Sequence, residues 1–289
     1  MTSRRSILGA ALAAACTTSE AMAQRHQPSA ERSSAGAERS SAGAERSSTR
    51  AERPSTRAAL PLVVLDPGHG GADPGAIGAA GSQEKRIVLA MAQELRRRLQ
   101  ASGRTRVILT RERDVFVPLA ERVAIARRAQ AALFLSIHAD SAPQGHAGQA
   151  RGASIYTLAE TATDTFSAAL ARRENLADQA GGLRLPSVSP DVQRILLSLM
   201  RAETSQDSER IARQTVQAMQ GDVPLLTNPH RRAAFVVLKA PDVPSALVEV
   251  GFLSHPMDEA LLNRPAWRAR VADSLAEGVH AFLGRRVAT

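Results

Sequence analysis

Four side chains in this sequence have the types and placements that metal-assisted hydrolysis requires. They are His69 in VVLDPGHGGADPGAIG, Glu84 in QEKRIVL, His138 in LFLSIHAD and Glu249 in SALVEVGF. Two imidazoles and one carboxylate fill three positions of a tetrahedral zinc ion and leave the fourth open, which catalysis needs and a structural site lacks. A metal held in that way lowers the pKa of bound water to about 7 and polarises a carbonyl. A nearby carboxylate outside the ligand set can take the water's proton and deliver it to a leaving amine, and Glu249 suits that role. Cys16 is the only cysteine, so a mature chain that has lost its first residues must bind metal through histidine and carboxylate.

Residues so far apart meet only if the fold brings them together. The stretch LVVLD reads as a strand, Gln83 to Gln100 as a helix, TRVILT as a strand, Leu119 to Ala129 as a helix and ALFLSI as a strand. Further strands are expected at ASIYTL, FVVLK and SALVEV, with a closing helix from Pro265 to about Leu283. Each strand is a continuous apolar run, as expected where helices cover both faces, so the class is α/β with a parallel or mixed sheet. In such sheets reactive groups gather outside the carboxyl ends of the strands. His69, His138 and Glu249 each follow or close a strand there. Val88, Met91, Leu95 and Leu99 recur at helical spacing, and Glu84 lies four residues before Val88 on the same face, at the positive end of the helix dipole. Gly68, Gly70 and Gly71 let the backbone approach metal and substrate closely, while Pro67 and Pro74 limit the unfolded states.

These motifs, together with VLKAPDVPSALVEVGFLS, resemble the zinc-dependent N-acetylmuramoyl-L-alanine amidases of the bacterial cell wall, of the family 3 type. The resemblance covers roughly residues 61 to 285. It implies a mixed, mostly parallel sheet of about six strands flanked by helices, zinc ligands at His69, Glu84 and His138, and Glu249 as acid/base. The bond implied is the amide between the lactyl group of N-acetylmuramic acid and L-alanine in peptidoglycan. Another zinc peptidase acting on wall peptides, such as a carboxypeptidase, is the alternative. Members commonly have Asn where this chain has His255, which leaves the ligand set open to a third histidine. Residues 160–232 break the α/β alternation as a helical insertion within the catalytic domain, 61–286. In the cell-division branch a comparable insertion covers the zinc until an activator protein displaces it. ARRENLADQAGGLRL resembles that region, with Glu174 as the expected occluding ligand and Glu203 as a weaker one.

The amino terminus reads as an export signal over 1–23. Arg4 and Arg5 precede an apolar run and an Ala21-Met22-Ala23 cleavage site, in a context like a twin-arginine signal or an ordinary Sec signal. The run is too short for a permanent membrane anchor, and the expected location is the periplasm. Residues 24–60 hold a seven-residue repeat, ERSSAGA and its variants, with no large apolar side chain for a coiled-coil seam, and are expected to form a disordered linker. The net charge of +9 suggests an acidic partner, but at 3% aromatic content basic patches interleaved with stacking rings are lacking, so no nucleic acid is expected.

Overall fold

The computed structural model describes residues 59–143, 148–181 and 202–286. The expected signal at 1–23, nearly all of the repeat linker, His146 and the DVQRILLSLM pattern lie outside the described residues. In chain order the elements are β1 (Leu62–Pro67), α1 (Glu84–Ala101), β2 (Arg106–Leu109), α2 (Leu119–Arg128), β3 (Leu133–His138), β4 (Ala153–Leu158), α3 (Thr165–Glu174) and the short α4 (Ala177–Ala180). They continue with α5 (Ala202–Met219), β5 (Leu225–Ala233), a 3-10 turn (Val236–Leu238), β6 (Ser245–Glu249), α6 (Pro256–Leu262) and α7 (Pro265–Arg286).

The strands form one mixed, mostly parallel sheet of six in the order β2-β1-β3-β6-β4-β5. The first four in that order run parallel, and β4 turns antiparallel to β6 with β5 following β4. Helices α1, α5 and α7 cover one face around Val88, Met91, Leu95 and Leu99, all fully buried. Helices α2 and α3 with the 3-10 turn cover the other, around Phe134, Tyr156, Phe235 and Leu247. Alternation along the strands places Asp66, Ser136, His138 and Glu249 on this second face, beside Val64, Phe134 and Leu247.

Two expectations are corrected. The run FVVLK is not a strand. Val236–Leu238 form the 3-10 turn, whose Val237 and Leu238 are buried in the second cluster. A short apolar run signals burial, and periodicity alone does not separate a buried turn from a buried strand. Conversely β5, LLTNPHRRA, lies inside the segment expected to be a helical insertion. It occupies the sheet's edge beside β4 alone, where Pro229 removes no required ladder bond. The register runs from Ala153↔Leu225 to Ile155↔His230, so the intervening residues bulge, with Asn228 at φ 52. Helix α5 and β5 therefore belong to the core layers, although both fall within 160–232.

Candidate active site

The loop after β1 carries His69 in the left-handed region, φ 58, a conformation that a non-glycine residue keeps only when its surroundings enforce it. Two buried arginines enforce it here. Arg122 of α2 donates to the carbonyls of Pro67 and His69, both at 2.7 Å, and to that of Val117 at 2.8 Å. Arg111 donates to the carbonyls of Pro67 at 3.0 Å, Gly68 at 2.7 Å and Lys85 at 2.8 Å. Beneath them Asp66, fully buried, accepts from Arg122 Nη1 at 2.8 Å, Thr110 Oγ1 at 2.5 Å and Ser136 Oγ at 2.8 Å. Burial alone raises the Asp66 carboxyl, but the Arg122 charge and these hydrogen bonds outweigh it and hold it below the usual range.

Glu84, the first residue of α1, ties three segments together. Its Oε2 accepts from Ala76 N and its Oε1 from Ala139 N, both at 2.9 Å. The same oxygens lie 3.1 Å from His69 Nε2 and 3.1 Å from His138 Nδ1. His138 and Glu249 are register partners at the ends of β3 and β6, so the sheet delivers them side by side. The structure thus brings His69, Glu84 and His138 together, with Glu249 adjacent. It also brings in Glu174, which ends α3 with Oε2 at 3.0 Å from His138 Nδ1 and 3.4 Å from His69 Nε2. Glu203 lies in the first turn of α5.

The charges of this cluster suit a divalent cation. Burial alone would lower the His69 imidazole, but Glu84 and Glu174 hold it at about 10. The His138 imidazole, against the same burial, is held well above its ordinary value by Glu174 and Glu84. Each carboxylate is in turn pulled down by the imidazoles against its own burial. The carboxylates that hold both imidazoles up are the same ones that a divalent ion would balance. One ligand atom from each of His69, His138 and Glu174 falls within 4.8 Å of the others. His69 Nδ1 pairs with Asp73 Oδ2 at 2.8 Å, which orients the ring and directs Nε2 inward as an outer partner of a metal ligand does. His69 Nε2, Glu174 Oε2 and Glu249 Oε1 are buried without a hydrogen bond among the described residues. Such atoms are costly to leave without a partner. Glu249 Oε2 does accept, from Asp140 N at 3.0 Å. Burial pushes the Glu249 carboxyl up to about 8, with Glu84 and Glu174 adding to the rise against the pull of His138.

His255 takes no part in this cluster. Its Nδ1 accepts from Met257 N at 3.2 Å as the N-cap of α6, a role that Asn also performs well. Sequence reasoning did not find Asp66, Asp73, Arg111, Arg122, Asp140 or Arg173. The one signal available was the charge of Asp66 at the end of an otherwise apolar run. Close approach of backbone is real at Gly68, where an added Cβ would lie 2.4 Å from His138 Cε1, and at Gly75, where it would lie 2.6 Å from His69 Cδ2 and 2.7 Å from Glu84 Oε2. Gly75 also has φ +67. Gly75→Ala is therefore expected to weaken metal binding by roughly 10- to 100-fold, as loss of outer-shell support does, and to lower stability by about 1–3 kcal/mol. Competition with a chelating dye and a thermal melt measure the two; unchanged metal affinity would show that the crowding is relieved without moving the ligands.

A family model described as N-acetylmuramoyl-L-alanine amidase matches residues 63–281. The chain is 40% identical over 223 residues to the N-acetylmuramoyl-L-alanine amidase AmiA of Escherichia coli, an alignment covering 77% of this chain and 76% of that protein. To AmiC of Neisseria meningitidis it is 39% identical over 232 residues, covering 78% of this chain and 54% of that protein. Among solved structures, the amidase AmiC2 of Nostoc punctiforme superposes with a TM-score of 0.53 at 27% identity, covering 78% of this chain and 98% of that one.

Proposed function

The chain belongs to the N-acetylmuramoyl-L-alanine amidase family, and from that premise we propose that it is a zinc hydrolase cleaving the amide between N-acetylmuramic acid and L-alanine in peptidoglycan. The observation that carries the reading is the meeting of two imidazoles and Glu84 beside a second carboxylate, Glu249, that has one unsatisfied oxygen. His69, His138 and Glu84 would hold the ion, a nitrogen and carboxylate set that suits zinc. When bound, zinc polarises the scissile carbonyl and acidifies water. Glu249 holds the moving proton: Oε2 is pinned by Asp140 N while Oε1 is free to accept a proton from water and hand it to the leaving nitrogen. Asp73, Arg111 and Arg122 keep the His69 loop in place, so the ligand geometry does not depend on substrate.

In this reading Glu174 is an autoinhibitory ligand, supported by its contacts to both imidazoles, and a partner that lifts α3 activates the enzyme by binding the 160–232 segment. The amino terminus directs the chain to the periplasm, by a twin-arginine or an ordinary Sec signal, where it serves wall remodelling and daughter-cell separation. Among the described residues no helix is long and apolar enough to cross a membrane.

Digestion of purified peptidoglycan by the zinc-loaded chain, read by mass spectrometry, tests the activity. Stem peptides with free L-alanine amino termini are expected; release of carboxy-terminal amino acids instead would turn the assignment to a carboxypeptidase. Glu174→Ala removes charged contacts worth about 1.5–3 kcal/mol, so hydrolysis is expected to rise by roughly 10- to 100-fold. An unchanged rate would remove Glu174 as the inhibitory group while leaving the enzyme assignment intact.

A further inference from the structure

Arg173 and Glu174 are consecutive residues at the end of α3, and their side chains enter two different parts of the site. Glu174 places a carboxylate oxygen against the His69 and His138 imidazoles. Arg173 places a cation on Asp140: its Nε donates to Asp140 Oδ2 at 3.1 Å, and its Nη2 meets Asp140 Oδ1 and the Ser141 carbonyl. Asp140 is 1% exposed, and its own N–H donates to Glu249 Oε2. A carboxylate that receives a cation therefore stands next to the proton-carrying Glu249, while a carboxylate stands at the ligand imidazoles.

Hydrolysis of an amide produces that pair of charges. Water adds its oxygen to the lactyl carbonyl carbon, the carbon–nitrogen bond breaks, and both protons of the water end on nitrogen, leaving one carboxylate and one ammonium. We propose that Arg173 and Glu174 occupy the site as a mimic of the two products, and that Asp140 is the catalytic residue that receives the leaving nitrogen of L-alanine as it becomes an ammonium. This assignment rests on the amidase reading above.

A tether for α3 does not by itself explain the arrangement. Other polar bridges already hold this segment: Asn175 bonds Ala234 O and Val236 N at 2.9 and 2.8 Å, and Asp178 accepts from Leu119 N at 2.8 Å. An exposed arginine needs no deeply buried acceptor to serve as a further surface tie, and a buried carboxylate is costly without a charged partner. Once α3 is displaced, Asp140 loses Arg173, and the nitrogen that Glu249 protonates is the cation formed beside it. Room for such a ligand is already present, since a cavity of about 290 Å³ lined by His69, Asp73, Asp140, Arg173 and Glu174 runs along the glycine loop.

The test uses the full, zinc-loaded chain with Arg173→Ala and Glu174→Ala, which empties both subsites. Calorimetric titration compares L-alanyl-γ-D-glutamate, whose only amine is that of alanine, with its N-acetyl derivative. The free amine is expected to bind at least 10-fold more tightly. Adding Asp140→Asn should abolish that preference and Asp140→Glu should partly restore it, with zinc content and melting temperature followed in each variant. Absence of binding by the free amine, or a preference that survives in Asp140→Asn, overturns the proposal. Digestion of peptidoglycan by the same doubly substituted chain reports separately on the amidase reading: stem-peptide release without amine preference overturns the role of Asp140 alone.

Discussion

Glu249→Gln is expected to lower peptidoglycan hydrolysis by about 10²–10⁴-fold, the usual contribution of a positioned acid/base, while zinc content stays at that of the unaltered chain. The substitution keeps size and shape, and an amide oxygen can still accept the Asp140 N–H that pins Oε2. What it removes is a site able to carry a proton. Glu249 is fully buried and is a register neighbour of His138, and an amide of the same size leaves that strand pairing unchanged, so the ligands have no reason to move. Turnover per bound zinc, with metal measured by atomic absorption, separates the two quantities. A fall of less than about 10-fold would assign proton transfer to another group, and loss of zinc together with activity would make Glu249 a ligand.

Arg122→Met is expected to destabilise the fold by about 3–5 kcal/mol, the cost of leaving a buried ion pair with one partner. At roughly 2–4 °C per kcal/mol for a domain of this size, the melting temperature should fall by about 6–20 °C. The sign of the pH dependence follows from Asp66. Its folded pKa is lowered in the unaltered chain, so its contribution to stability is present above the unfolded value near 3.9 and is lost as pH falls through the lower folded value. Without Arg122, burial dominates and raises that carboxyl, so protonation relieves the variant as pH falls. The stability gap should therefore narrow from pH 7 towards pH 4. A gap constant with pH would mean that the loss comes from the unsupported carbonyls of Pro67 and His69 and not from the Asp66 charge. Asp66→Asn combined with Arg122→Met should recover part of the loss, because no uncompensated charge then remains buried.

The parts of the fold legible beforehand are those with strong local signals. Helix α1 was legible because Val88, Met91, Leu95 and Leu99 recur at spacings of three and four over three turns, and β1, β3 and β6 because each is a mostly apolar run with a charged or imidazole side chain at or next to its end. Where those runs end, His138 and Glu249 stand in register, so this part of the site follows from strand ends alone. Strand β5 was not legible: its Pro229, Asn228 and paired arginines are tolerated only by an edge position and a bulge, both of which are tertiary facts. Val236–Leu238 failed in the opposite direction, since apolar side chains report burial and not backbone conformation. Asp66, Arg111, Arg122 and Asp140 were passed over because charged residues are ordinarily exposed. Their burial becomes readable only when distant partners such as Thr110, Ser136 and Arg173 come into contact with them.

Helix α3 begins where Thr163 and Asp164 meet Arg232 and Arg231 near the far end of β4, and finishes with Glu174 against His69 and His138, at the carboxyl ends of β1 and β3. Its length therefore acts as a ruler. A ten-residue helix spans about 15 Å, and one added or deleted residue would rotate its last turn by roughly 100° and shift it by about 1.5 Å. Arg173 and Glu174 would then miss their targets together, however well each side chain were preserved. In evolutionary terms α3 can accept substitutions on its outer surface but not changes in length, so single-residue insertions and deletions should be filtered out of this helix.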